Sequence, residues 1–319
     1  MREYRKFILT DKETGEVIDA ATLEIKAGSR VGINATTEAQ RDAYKHKQEL
    51  DKEMAEFIKE NEGAFVHLMF RYGTPLFHKL EEKAPGNKSN THIIRFMMLA
   101  TCLTFGGKLF DDNRNRVKKS SLKNIWDTTS KNSINETYNL LLECEFIYVT
   151  EEGYIMLNEE IIVKGAIDNF EELRKQGNSF TYTRIFIDNL RDMFKGTEPK
   201  QRKHLANLFK ILPYVNFKYN VFCSNPTEVD KTKLELLDWT DLAKICGYNI
   251  DNASRLKKDL MKLKIYGYDV IGQFETGSGR TIKVNPKVYY SSDDVSDVRE
   301  LYNCDMFDMI EGYAKNHKK

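Results

Sequence analysis

Hydrophobic residues fall into short blocks separated by polar turns, and the blocks recur twice in the same order. Residues 1–35 read as an extended arm. Positions 6–10 predict a short strand, Asp11-Lys12-Glu13-Thr14-Gly15-Glu16 a turn, and Val17-Ile18 the returning strand. Thr36-Thr37-Glu38 supplies a helix start with an acid in its first turn. A heavily charged helix with a sparse stripe of Tyr44, Leu50, Met54, Phe57 and Ile58 follows to Glu62. Gly63 breaks it, and the more apolar stretch 64–80 is expected to be helical at its end, after Pro75.

From His92 the sequence repeats itself. His92 and the residues behind it match His204 and its followers at a spacing of 112 positions, which also sets Phe105 on Phe217, Leu109 on Val221 and Phe110 on Phe222. A polar loop at 224–233 exists only in the second copy. Beyond it Leu122 and Ile125 match Leu242 and Ile245 at a spacing of 120, and Ile134, Thr137 and Leu141 match Ala253, Leu256 and Leu260 at 119. Each copy reads as helix, short strand, short helix, turn, helix and two strands joined by a turn. The last three pieces are 132–143, 146–150 and 154–157 around Glu151-Glu152-Gly153 in the first copy. In the second they are 252–264, 268–274 and 281–284 around a longer Gly-rich turn at 275–280. That order is a winged helix-turn-helix. The expected fold class is α+β, mainly α with small β-hairpins. Two tandem winged helix-turn-helix domains occupy 63–165 and 199–290, with an arm and charged helix at 1–62, a helical connector at 166–198 and an acidic tail at 291–319.

A helix that reads DNA buries one stripe and offers small polar or basic residues from its first turns to base edges. In the first copy Ile134, Thr137, Tyr138 and Leu141 form the buried stripe, leaving Lys131, Asn132, Ser133, Asn135, Glu136 and Asn139 facing out. Asn suits adenine, and Lys suits guanine or phosphate; Asn132 and Ser133 equally suit a helix cap. In the second copy Ala253, Leu256, Leu260 and Leu263 are the buried stripe, and Asp251, Asn252, Ser254, Arg255, Lys257, Lys258 and Lys262 face out. The Gly277-Ser278-Gly279-Arg280 tip, followed by Lys283, completes the candidate set: glycines let backbone approach phosphate, and Arg enters a narrow minor groove. The plain alternative is an ordinary hairpin loop. The candidate DNA contacts are thus Lys131, Asn132, Ser133, Asn135, Asn139, Asn252, Ser254, Arg255, Lys258, Lys262, Ser278, Arg280 and Lys283.

Overall charge says little about partners, because 49 basic and 48 acidic residues nearly cancel. Its distribution says more. Residues 199–221 hold five basic residues and no acid, and 253–290 hold eight basic against three acidic. Residues 111–131 hold six against three, while the tail at 291–319 carries seven acids against four basic residues. The five cysteines are scattered, odd in number and never form a C-x-x-C pair, which argues against a disulfide framework or a zinc site and suits free thiols in a reducing cytoplasm. The opening residues lead into no apolar signal segment, and the apolar stretch at 93–105 is interrupted by Arg95. The expected location is the cytoplasm, with the nucleoid, and no membrane.

Residues 63–165 resemble the replication initiators of small Firmicute plasmids (the RepL type), which also occur in phage genomes. The resemblance is carried by Asp11-Lys12-Glu13-Thr14-Gly15-Glu16-Val17-Ile18 in the arm and Gly63-Ala64-Phe65-Val66 at the domain start. The helix-turn-helix at 121–147, and Tyr154-Ile155-Met156-Leu157-Asn158-Glu159-Glu160 with Gly165, complete it. It covers about a third of the chain and implies sequence-specific binding of double-stranded DNA, with origin recognition as one use. The second half departs from that family, which has a single such domain; the tandem arrangement is similar to that of other plasmid initiators with two winged helices.

No enzyme chemistry is expected. A rolling-circle nickase needs a His-apolar-His metal site, absent among the six histidines. His92-Ile93-Ile94-Arg95 resembles the H-x-x-R box of tyrosine recombinases, but its plain reading is a helix start with one exposed Arg. No G-x-x-x-x-G-K-[ST] phosphate loop exists, and no cofactor is implied. The leading expectation is a plasmid or phage initiator, with host replication or transcription proteins as further candidate partners. A repressor of the same fold is the alternative, and a protein-interaction adaptor is the reading of another class. One chain carries two reading heads, and the arm offers a route to a homodimer.

Overall fold

The computed structural model describes residues 2–10, 17–26, 64–71, 75–85, 87–165, 181–276, 279–286 and 288–290, with 45, 48–49, 52–53 and 56 as isolated helical positions. The chain divides into two compact units, 1–49 and 50–319. The start of the charged helix at Thr36, the tail at 291–319 and Ser278 lie outside the described residues.

The first unit holds a two-stranded antiparallel hairpin, β1 (Arg2–Thr10) and β2 (Val17–Lys26). The pairing runs from Arg2 opposite Lys26 to Thr10 opposite Val17, with a bulge between Leu9 and Thr10. Both strands are longer than the 6–10 and 17–18 segments read from the sequence.

The second unit is α+β: helices packed on one sheet, with small antiparallel hairpins. Its first half runs β3 (Phe65–Phe70), α1 (His78–Lys83), α2 (Lys88–Ala100), α3 (Leu122–Ile125), α4 (Lys131–Glu143), β4 (Ile147–Val149), β5 (Ile155–Leu157) and β6 (Ile162–Val163). The second half repeats the order: β7 (Thr181–Phe186), α5 (Ile187–Gly196), α6 (Leu205–Ile211), α7 (Trp239–Ile245), α8 (Ala253–Leu260), a tight hairpin β8 (Lys264–Ile265) and β9 (Tyr268–Asp269), the longer hairpin β10 (Ile271–Thr276) and β11 (Gly279–Val284), and β12 (Tyr289–Tyr290). The repeat read from the sequence is therefore longer than its first identities suggested. The segment expected to be a connector, 166–198, contributes β7 and α5 to the second half. The short strand expected after α2 is replaced by isolated bridges, Leu103 to Leu109 and, in the second half, Val215 to Phe222.

β6, β3, β7 and β12 form one four-stranded antiparallel sheet that joins the halves. In its centre His67 lies opposite Arg184 and Leu68 opposite Thr183. A two-fold axis normal to the sheet, passing through the His67–Arg184 pair, carries β3 onto β7 and Leu68 onto Ile185 of the same face. The same rotation carries the pairing of Leu68 with Ile162 onto that of Ile185 with Tyr289, and that of His67 with Val163 onto that of Arg184 with Tyr290. The two halves are thus related by an approximate two-fold rotation, a property of antiparallel pairing and not of sequence identity.

One sheet face, with Val66, Leu68 and Ile185, meets the helical core of Leu80, Ile93, Phe96, Leu205, Leu208 and Phe209, all essentially shielded from solvent. Full burial of each such side chain stabilises by about 1.5–3 kcal/mol relative to exposure. On the other face the Arg184 guanidinium lies 5.6–6.0 Å from the rings of Phe65, Tyr182 and Tyr290, a cation–π arrangement for a buried cation.

The seam between the halves is polar. Asn90 donates to Asn207 Oδ1 at 3.0 Å, and Asn207 donates to the Tyr248 hydroxyl at 3.0 Å. The buried Lys210 ammonium sits 2.8 Å from Glu81 and donates to Ser89 Oγ at 3.2 Å. At the rim, Arg191 pairs with Asp112 at 3.1 Å and Arg202 with Asp127 at 2.8 Å. Between these two pairs a cleft of about 390 Å³ opens, floored by Met98 and Cys102.

Candidate nucleic-acid interface

Each half carries a short helix, a left-handed turn residue and a second helix, followed by hairpin strands. The turn falls on Asp127 (φ 46°) in the first half and Gly247 (φ 74°) in the second, at the same spacing as Leu122 and Leu242. A residue in this region ends the first helix and redirects the chain.

In the first half, Ser130 caps α4 by accepting from the Ser133 amide at 3.4 Å, so neither Asn132 nor Ser133 is the cap. Ile134, Thr137 and Leu141 are buried as their spacing requires. Tyr138 is only half-buried, its ring 4.4 Å from the Lys119 ammonium. Lys131, Asn132, Asn135 and Asn139 are exposed, while Ser133 is half-buried and its carbonyl accepts from Arg95 at 2.8 Å.

Arg95 corrects the expectation of an exposed Arg: it is only 8% exposed. It donates to Thr137 Oγ1 at 2.6 Å and lies 5.3 Å over the Trp126 ring, while the Trp126 indole donates to the Arg95 carbonyl at 2.9 Å. His92 Nδ1 shares the same Thr137 hydroxyl at 2.9 Å. A buried cation is tolerated only when hydrogen-bonded, and here those bonds fix the first turns of α4. Burial lowers the His92 pKa; exposed Glu136 opposes that shift and Arg95 adds to it.

In the second half, Leu256, Leu260 and Leu263 are buried and Ala253 half-buried. α8 ends at Leu260, short of the expected 264, because the β8–β9 hairpin begins there. Asn252, Ser254, Arg255, Lys258 and Lys262 are exposed. Arg255, Lys258 and Lys262 have no ion-pair partner among the described residues. Lys257 does not face out: its ammonium donates to Gln273 Oε1 at 2.8 Å, tying α8 to β10. Beneath the helix, His204 Nδ1 approaches Asp259 Oδ2 to 3.1 Å, yet both atoms lie outside hydrogen-bonding angles. Burial lowers the His204 pKa against the opposing pull of Asp259.

Of the hairpin candidates, Arg280 is exposed and 3.1 Å from Glu275 across the strand pair, so part of its charge is answered locally. Lys283 sits away from the tip, opposite Gly272 and bridged to Val221, and is half-buried.

The structure adds a cluster that the residue pattern alone did not single out. The Arg116 guanidinium lies 4.6 Å from the Tyr154 ring and 5.6 Å from Phe110, and the Lys118 ammonium lies 4.5 Å from Tyr154. The segment around Lys118 bridges to Tyr154, beside the β4–β5 hairpin. The excess of basic residues at 111–131 was the available signal; its pairing with the hairpin is tertiary.

Among the described residues no group of three or more His, Cys, Asp or Glu is placed to hold a metal ion. Burial pushes the Cys223 thiol up to about 11 and the Cys246 thiol up to about 12. Among the described residues no helix is long and apolar enough to cross a membrane. No protein-family model, no curated protein and no solved structure matches the chain.

Proposed function

We propose that the chain is a sequence-specific double-stranded DNA-binding protein built from two tandem winged helix-turn-helix halves, with α4 and α8 as the recognition helices. The observation that carries this reading is the paired construction. Each helix follows a short helix and a left-handed turn, each buries one stripe (Ile134, Thr137 and Leu141 on α4, Leu256 and Leu260 on α8), and each presents its polar face to solvent. The exposed Arg255, Lys258 and Lys262 supply the phosphate-neutralising charge that duplex binding needs. Asn132, Asn135 and Asn139 supply adenine-reading amides. Arg116 and Lys118, stacked on Tyr154, extend the basic surface beside the first hairpin. The resemblance of the first half to plasmid initiators favours an origin as the natural target.

The test is duplex selection from a random library at about 150 mM salt, a concentration that suppresses non-specific phosphate binding, followed by affinity against salt. Arg255→Ala and Lys258→Ala are expected to lower the slope of log K against log salt by about 0.9 for each phosphate no longer neutralised. Where the side chain reads a base, the expected loss is about 1–3 kcal/mol with relaxed preference at that position. Unchanged affinity and slope in both variants would remove α8 from the interface.

A further inference from the structure

The two-fold relation between the halves constrains the form of the site that the chain recognises. Rotation about the sheet normal preserves the component of any direction along that axis and reverses the components across it. Whatever the outward face of α4 presents along the axis, α8 presents in the same sense; across the axis the two helices run in opposite senses. α4 packs on α2 and α8 on α6, and α2 and α6 meet at the polar seam of Asn90, Asn207, Lys210 and Glu81. B-form DNA has its own two-folds, perpendicular to its helix axis. A duplex meets both helices in the same way only when one of its dyads lies along the protein's axis.

From this geometry we propose that one chain binds two half-sites in inverted orientation, about 10 bp or a multiple apart, and that the two half-sites differ in sequence. The proposal rests on the DNA-binding reading given above. The difference in sequence follows from residues at matching places on the two helices. Asn135 corresponds to Ser254, Glu136 to Arg255 and Asn139 to Lys258, and all six are exposed. Asn pairs with adenine and Glu accepts from the cytosine amino group, whereas Arg and Lys pair with guanine. The first half therefore selects an arm rich in A and C, and the second selects a G-containing arm. The natural site then shows no palindrome, although its geometry is that of one.

Making the two helices alike exposes the hidden symmetry. The triple variant Asn135→Ser, Glu136→Arg, Asn139→Lys gives α4 the outward chemistry of α8 without touching the buried stripe. Duplex selection with this variant is expected to return an inverted repeat of the wild-type G-containing arm. That duplex is expected to be bound at least ~10-fold more tightly than a direct repeat of the same arm, the discrimination expected from a single misplaced base pair. The converse variant, Ser254→Asn, Arg255→Glu, Lys258→Asn, is expected to return an inverted repeat of the other arm, and it serves if the first does not fold by circular dichroism. A direct repeat, or a site with a single arm, from either folded variant overturns the inverted arrangement. Wild-type protein that enriches no sequence overturns the DNA-binding reading itself, and the proposal with it.

Discussion

Lys210 offers the sharpest test of how the two halves are held together. Its side chain is 3% exposed, and its ammonium meets Glu81 at 2.8 Å and Ser89 at 3.2 Å, both contributed by the other half. Removing one partner of a buried ion pair costs about 3–5 kcal/mol, because the remaining charge loses its compensation. Glu81 keeps 26% exposure and can rehydrate, which places Lys210→Met at the lower end, about 3 kcal/mol. For a unit of this size that is a fall of roughly 6–12 °C in the unfolding midpoint. The double variant Lys210→Met, Glu81→Gln removes both charges and is expected to recover at least half of the loss. Thermal unfolding of wild type, both single variants and the double variant closes the cycle. Additive effects, with no recovery in the double variant, would show that the pair is not coupled and would refute the reasoning.

Gly247→Ala forces a side chain into a left-handed turn (φ 74°) and is expected to cost about 1 kcal/mol, read as a midpoint about 2–4 °C lower. His92 and His204 have pKa values lowered chiefly by burial. The unfolded chain therefore takes up protons first as pH falls. Their contribution to stability is intact above about pH 6.5, declines as pH falls towards their folded values and then levels off. The wild-type midpoint should drop between pH 7.5 and 5.5 by more than that of the His92→Gln, His204→Gln variant, and parallel profiles would contradict this. Arg116→Ala is expected to lower the salt slope of duplex binding by about 0.9 with the selected sequence unchanged, whereas a changed sequence preference would make Arg116 a base reader.

The paired helices of each half were legible because their information is local. Ile134, Thr137 and Leu141 mark one face of α4 by spacing alone, and Glu151-Glu152-Gly153 supplies a turn whose Gly153 adopts φ 80°. The sheet was not legible. Phe65 to Phe70 is a short apolar run broken by His67 alone, which periodicity cannot separate from a buried helix. Its partner β7 lies more than a hundred residues away, and what makes β7 a strand is that pairing. Arg95 and Lys257 failed for a related reason. Each looks like a surface cation in a helical pattern, and each is turned inward by an acceptor far along the chain: the Ser133 carbonyl and the Thr137 hydroxyl for one, the Gln273 amide for the other.

The chemistry of the seam bears on why two reading helices would be carried by one sheet. An apolar seam would be held by buried area alone and would tolerate small slides between helices. Asn90, Asn207, Lys210 and Ser89 are almost fully buried, and a shift of an ångström would leave several of them unsatisfied. Their net contribution to stability is small, because desolvation offsets much of the attraction. Their contribution to geometry is larger: one crossing of α2 over α6 pairs the Asn90 amide with Asn207 and Lys210 with Ser89, with the Asn90 Oδ1 left unpaired, and it fixes the separation of α4 and α8. A duplex offers half-sites only at set intervals along its grooves, so a rigid separation turns two modest binding events into one selective one. On this argument the Lys210 variants should lose discrimination between correctly and incorrectly spaced half-sites before they lose affinity for either arm alone.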